Sequence, residues 1–424
     1  MVIGGVYYNE GVTFDMNVAT QSGTGMNGFV TVLNRIGGGA SALVDISGVD
    51  IKTIAVGPSD TVFAASIENG AAAKMVVHKW GSFTGINTAT RINSLAATGI
   101  TPMGLAADST GAVYLIGDVG AEGGLISCGT DKPVSKGFVV VKYIEENQVL
   151  VCKWVQQFTS SSTVNHGAAI VAKNRLWITG NFNGDLKQGS NLVLTGDDSG
   201  SDMFLVELDP AMGDVVNKYS YEGMSGGAID PRAIDTDVNN TVFVAGSVKG
   251  PTAFADLISM QTGAFMLEVR LNDPAQYRHI VLPGSPTDIS HVARATGIVA
   301  LGNGAVYASG TFSGSITLDP AAVPVFAPSV GSTNAGGNTP FLARIDPTTF
   351  TLMSFKPFPG YGEGSSNDGV FLAGAGTDGL AMAGRWVQTL DFADGDKMDL
   401  RYLEAPMYVP MMENADIFVA KFTP

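Results

Sequence analysis

One short phrase recurs seven times along the chain, an aromatic residue or methionine followed by apolar residues. It reads Gly28-Phe-Val-Thr-Val, Lys74-Met-Val-Val-His, Gly137-Phe-Val-Val-Val, Met203-Phe-Leu-Val-Glu, Ala264-Phe-Met-Leu-Glu, Pro340-Phe-Leu-Ala-Arg and Ile417-Phe-Val-Ala-Lys. The anchors are Phe29, Met75, Phe138, Phe204, Phe265, Phe341 and Phe418, on average about 65 residues apart. Self-similarity at a fixed interval marks a repeat architecture, in which each unit buries its faces against its neighbours.

Three further segments accompany the anchor phrase. Ahead of it runs a hydrophobic strand ending in glycine, as in Val113–Gly117, Leu176–Gly180, Val242–Gly246 and Val306–Gly310, with weaker copies ending at Gly4, Ser66 and Gly384. Before that lies a small apolar run such as Met103–Ala107, Ala168–Ala172 or Gly297–Leu301. Turn-forming residues such as Asp108-Ser-Thr-Gly111 or Asp237-Val-Asn-Asn240 join the two. After the anchor comes a more polar strand, such as Val149–Trp154 or Leu352–Lys356. Named a, b, c and d in chain order, the strands grow more polar from a to d, as expected for an innermost-to-outermost series.

Four antiparallel strands repeated seven times predict an all-β fold, a single seven-bladed β-propeller of four-stranded antiparallel blades. One domain would span 1–424, with repeats near 1–50, 51–98, 99–163, 164–227, 228–290, 291–364 and 365–424. Helix should be scarce, because few segments carry a 3.6-residue period.

The Ala106-Ala107-Asp108 turn before Val113–Gly117, and the phrase Asp416-Ile-Phe-Val-Ala-Lys421, resemble the bacterial SBBP-type propeller repeats. That resemblance covers essentially the whole chain and implies a propeller. It implies no activity, since the family shares repeat architecture in surface and secreted proteins and no catalytic motif. The copies at 51–95 and 369–384 depart most from the pattern.

Composition narrows the function classes. Glycine supplies 54 of 424 residues, about twice the usual share, without the Gly-X-Y period of collagen. The net charge of −15 repels phosphate backbones, so nucleic-acid binding is disfavoured. No run approaches the ~18 apolar residues of a spanning helix, so membrane insertion is not expected. The opening Met1–Gly5 has no basic region and no small-residue cleavage site, so no signal peptide is visible; a longer or processed natural N-terminus is the alternative. Cys128 and Cys152 make no disulfide framework and read as two partly buried free thiols, with pairing left open.

Chemistry-bearing patterns are sparse. His78, His166, His279 and His291 fall in separate repeats, with no pair at metal-ligand spacing. No nucleophile elbow, phosphate loop or dinucleotide fingerprint is present, so no catalytic, cofactor or metal residue is assigned. Two acidic loops, Asp391-Phe-Ala-Asp394-Gly-Asp396-Lys-Met-Asp399 and Asp197-Asp198-Ser-Gly-Ser-Asp202, read as solvated acids, with a weak calcium site as the alternative.

The b–c connections vary in length, and such variable loops on a rigid scaffold usually carry binding. The seventh runs from about Val387 to Ala415 and is rich in Met, Tyr and Pro. Its Met398, Tyr402, Met407, Tyr408, Met411 and Met412 are the candidate interaction residues, because thioethers and rings bury area at small conformational cost. A lid over its own blade is the competing reading. The expectation is a non-enzymatic structural or protein-interaction propeller whose partners include copies of itself, in an oligomer, sheet or lattice. A secreted or surface glycan-binding propeller is the alternative, although Trp80, Trp154, Trp177 and Trp386 all lie in or beside strands.

The strands number six a, seven b, seven c and six d, two short of seven complete blades. The first repeat lacks its a strand and the last its d strand. A longer natural chain, local repair by segments such as Gly11–Asp15 or Ser315–Asp319, or docking of an edge against another copy would each make up the shortage.

Overall fold

The computed structural model describes residues 2–8, 26–33, 40–68, 73–81, 92–93, 97–162, 165–196, 199–254, 257–259, 262–270, 277–284, 293–313, 315–316, 318, 325–326, 339–358, 360–361, 371–374, 379–386, 389–390, 399–403 and 416–422. Strands dominate, and one 3-10 turn, Pro58–Asp60, is the only helical element among these residues. The chain separates into two compact units, Met1–Asp198 with Asp202–Ser220, and Ser199–Ser201 with Tyr221–Pro424.

Among the described residues there are seven antiparallel sheets of three or more strands. Sheet I runs Val2–Tyr8, Met26–Leu33, Ala40–Ser47. Sheet II runs Val49–Val56, Val62–Glu68, Lys74–Trp80, Ala97–Thr98. Sheet III contains Ile100–Ala107, Val113–Val119, Gly137–Glu146 and Val149–Ser160; sheet IV contains Asn165–Ala172, Leu176–Phe182, Asp202–Leu208 and Val215–Gly223. The last strand of sheet IV passes from the first unit into the second after Ser220. Sheets V and VI follow the same order, with Ala228–Thr236, Val242–Lys249, Gly263–Val269, Tyr277–Pro283, then Ala293–Ala300, Val306–Phe312, Thr339–Ile345, Leu352–Pro357.

Sheet VII differs. Its order is Phe371–Gly374, Leu380–Trp386, Asp416–Phe422, Asp399–Leu403, so the outermost strand comes from its own b–c connection. The missing d strand of the last repeat is thereby replaced from within the chain. Of the segments expected to make such a repair, Gly11–Asp15 lies outside the described residues. Ser315–Ile316 does pair, in a short ribbon with Val325–Phe326, and Ile316 bridges to Gly284 after the last strand of sheet V.

Packing explains the apolar strand sequences. Within the first unit the first strand of sheet II lies beside that of sheet III, and that beside sheet IV. In the second unit the first strands of sheets V, VI and VII are neighbours in the same way. Strands b and c therefore bury both faces: Val113–Ile116 and Phe138–Val141 are fully enclosed, without the in–out alternation of a half-solvated sheet. Strand d faces solvent, and Val215–Gly223 alternates between partly buried and exposed residues over its first six positions. Six anchors, Phe29, Met75, Phe138, Phe204, Phe265 and Phe341, are fully buried; the Phe418 side chain is outside the described set. Phe138 stacks between Phe158 at 4.8 Å and Phe204 at 5.0 Å, tying sheet III to sheet IV.

The b–c connections build a second recurring feature. Those of sheets III to V each pair with the outer strand of the preceding sheet, and those of sheets VI and VII meet the chain just past it. Leu125 and Ile126 pair with Thr98 and Ala97; Leu186–Gln188 pairs with Phe158–Ser160; Thr252 and Ala253 pair with Gly223 and Glu222. Ile316 bridges to Gly284, and Thr389–Leu390 pairs with Gly360–Tyr361, just past the last strand of sheet VI. These straps lengthen sheets II, III and IV beyond four strands.

One strap is covalently fastened. Cys128, at the end of the strap strand Gly124–Cys128, is bonded to Cys152 in the last strand of sheet III, with Cα atoms 4.9 Å apart. This corrects the free-thiol expectation. The strap carries residue 128 across to a neighbouring sheet, a proximity that a separation of 24 residues does not reveal.

Candidate functional site

The residues with reactive or charged side chains fall into three groups, set by where the backbone places them. The first caps turns. Asp108 Oδ1 accepts from the Thr110 and Ala112 amides at 2.9 and 3.0 Å, and Asp237 Oδ1 from those of Asn239 and Thr241 at 2.9 and 2.8 Å. Asp209 and Asp346 do the same in two c–d turns, through the amides of Ala211 and Thr348. These are Asx-type caps, in which a short carboxylate substitutes for missing backbone partners. Two backbone donors, Thr348 and then Thr349, hold the Asp346 carboxyl below the usual range. Tyr114 donates to Asp108 at 2.9 Å, and burial followed by that bond keeps its phenol protonated far above the ordinary value.

The second group joins strands and sheets. Glu268, almost fully buried, is bound by Arg270 at 2.6 Å and by Arg278, whose Nε lies 2.9 Å away. Glu207 occupies the matching position in sheet IV and takes Arg175 at 3.0 and 3.2 Å. Around them the c–d turns dock on the preceding sheet. The Pro210 carbonyl accepts from Lys142 at 2.7 Å and Trp154 Nε1 at 3.3 Å, while the Pro347 carbonyl accepts from Arg278 at 2.8 Å. Phe350 in the second turn lies under the Arg278 guanidinium at 5.5 Å and stacks on Phe243.

The third group lies on the first strands, where charged side chains gather beside a recurring bulge within each unit, and it holds the candidate site. In sheets II to VI strand a carries a β-bulge opposite the end of strand b, and the residue skipped by the pairing is Lys52, Met103, Ala168, Arg232 or Thr296. A bulge turns its extra residue out of the ladder and re-aims its neighbours. Lys52 meets Asp50 at 2.5 Å, and Arg232 meets Asp230 at 2.5 Å, the same arrangement in two sheets. In the first unit Asp118, immediately after Gly117 of strand b, reaches sheet IV. Its Oδ2 lies 2.8 Å from His166 Nδ1 and its Oδ1 accepts from the Gly167 amide at 2.9 Å. The His166 side chain remains 56 % exposed against 18 % for Asp118. This carboxylate–imidazole pair joins strand b of sheet III to strand a of sheet IV and offers polar atoms to a ligand.

Of these residues His166 was weighed from sequence only as a metal ligand, and the charged ones were not singled out. Asp118, Lys52 and Asp230 do stand near the glycine-ended b strand or its a partner, the one signal that could have found them. Of the expected interaction residues, Met398, Met407, Tyr408, Met411 and Met412 lie outside the described residues. Tyr402 belongs to the strand Asp399–Leu403, and its side chain is likewise not described. The two acidic loops, expected as solvated acids with a weak calcium site as the alternative, fall mostly outside as well. Asp202 is buried at the start of its strand, and the described residues contain no cluster of three metal-ligating side chains. Trp80, Trp154 and Trp177 are buried, and the Trp386 side chain is outside the described residues.

No family model matches the chain. No curated protein matches it either. Among solved structures it is similar to a protein of unknown function from Bacteroides caccae, at 12% identity over 84% of this chain and 93% of that one, with a TM-score of 0.37. A protein of unknown function from Dyadobacter fermentans aligns over 99% of this chain and 100% of its own at 8% identity, with a TM-score of 0.46. No described helix is long and apolar enough to cross a membrane, which leaves strand-built spans unaddressed.

Proposed function

We propose that the seven sheets are the blades of one β-propeller that works as an interaction or structural module and associates with copies of itself. The observation that carries this reading is how the reactive side chains are used. Asp108, Asp237 and Asp346 cap turns, Glu207 and Glu268 join strands, and Arg278 and Lys142 fasten turns to neighbouring sheets. Six buried anchors, the a-b-c-d strand order of sheets II to VI, and the resemblance to SBBP-type repeats support the closed architecture. The Cys128–Cys152 bridge supports work in an oxidising compartment, where such bonds persist.

The long connection of sheet VII, with Met407, Tyr408, Met411 and Met412, is the first surface to test. Sedimentation velocity and negative-stain imaging of the purified chain should show association that grows with concentration. Serine at those four positions should abolish it with the melting temperature nearly unchanged. A strictly monomeric wild type at high concentration overturns the reading. Unfolding of the variant instead assigns the segment to a lid.

A further inference from the structure

The described straps follow a rule. Sheets III to VII each send part of the b–c connection back to the outer strand of the preceding sheet or to the chain just past it, and those connections span 120–136, 183–201, 250–262, 313–338 and 387–415. The connection of sheet II is residues 69–73, five residues between Glu68 and Lys74. Five extended residues reach about 17 Å, so an out-and-back loop reaches about half that. A facing sheet lies about 10 Å away, and its outer strand lies two further strand spacings along. No strap of this length can reach the last strand of sheet I. Among the described residues, Ala40–Ser47 pairs only with Met26–Leu33, and no strand lies on its other side.

We propose that the free edge of Ala40–Ser47 is a docking surface for the same edge of a second copy, giving an antiparallel, twofold pair. The equivalent place on sheets II, III and IV is already an interface built by strand addition within this chain. The strand itself, Ala-Ser-Ala-Leu-Val-Asp-Ile-Ser, carries one charge and no Lys, Arg or Pro. Proteins use those residues to protect free edges, and the outermost strand of sheet II, Thr130–Val134, has Asp131, Lys132 and Pro133 in a row. A twofold register sets Val44 opposite Val44, Leu43 opposite Asp45 and Ala42 opposite Ile46, which keeps the two Asp45 residues apart. One strand pair buries less than about 1,000 Å², so the dimer is weak and concentration-dependent. With −15 charges on each copy, added salt strengthens it.

This inference rests on the self-association reading, and one experiment separates their failures. Hydrogen exchange by mass spectrometry would be run on the full wild-type chain over a concentration series, beside sedimentation velocity. Protection that rises with the dimer fraction in the peptide covering 40–47 is the expected result. Leu43→Lys should weaken the dimer at least tenfold. A dimer whose new protection falls elsewhere, for instance on 398–412, overturns this inference and leaves self-association standing. Full protection of 40–47 in the monomer at the lowest concentration overturns it too, because the edge is then closed within one chain. A chain monomeric at every concentration removes both.

Discussion

At Gly180 a methyl group would strike the His166 carbonyl and lie 2.7 Å from the Phe204 ring. Gly246 meets the Asp230 carbonyl and the Phe265 ring in the same way. The glycine that ends strand b is there because the bulge of strand a and the anchor ring of strand c close over it. Gly180→Ala is therefore expected to destabilise by about 1–3 kcal/mol, read from urea unfolding, the range for overfilling a tight site. Phe341→Ala empties a fully buried anchor and should lower stability by about 3–5 kcal/mol in the same assay. His279 offers a pH test. It stacks on Phe254 at 4.9 Å, and burial lowers its pKa below the ordinary value near 6.5. The unfolded chain then takes up the proton first, so this contribution to stability is present above about pH 6.5 and is lost as pH falls below it. His279→Phe should flatten the fall in denaturation midpoint between pH 7.5 and 5.5; an unchanged fall would assign it to other groups. The anchors were legible because Phe recurs at one place in six repeats and Met75 takes that place in the other. The bulges were not, since Lys52, Ala168 and Arg232 look like ordinary strand residues until pairing skips them.

Among elements, strands b and c were plain from their apolar runs, and the d strands from their polarity. An added edge strand from a b–c connection was foreseen as one repair, at Gly11–Asp15 or Ser315–Asp319, but not as a recurring feature, because arms of two or three residues, such as Leu125–Ile126 or Thr252–Ala253, show no periodicity. The disulfide was no more legible, since it depends on where a strap lands. Its removal by Cys152→Ser opens a loop of 24 residues, and chain entropy sets the expected loss at about 3 kcal/mol. A melting curve of the variant beside the wild type checks this, and a loss well under ~1 kcal/mol would mean the strap holds without it. The c–d turns give a matched pair of positive-φ sites. Gly213 takes φ +78° without penalty, whereas Phe350 holds φ +53° at the corresponding place. That strain, about 1 kcal/mol or more, is offset by burial of its ring against Phe243 and Arg278. Phe350→Gly relieves the first and forfeits the second, so a net loss of about 2 kcal/mol is expected in thermal unfolding. A gain would show that the ring contributes little.

For the molecule as a whole, the seven-sheet organisation could be read from the repeat, while the replacement of the last outer strand by Asp399–Leu403 could not. That strand lies inside a connection whose composition suggested a partner surface, and no repeat copy exists to compare it with. Because every strap points backward, sheet n acquires its outer seal only from chain that follows it. A ribosome delivers the protein in that same direction. Sheets II to VI would therefore be closed one after another as synthesis proceeds, so a nascent chain shows one freshly made, unsealed margin at a time. Translation that stops early, or a gene shortened from its 3′ end, would leave that margin permanently bare on whichever sheet came last, the condition most apt to seed aggregates.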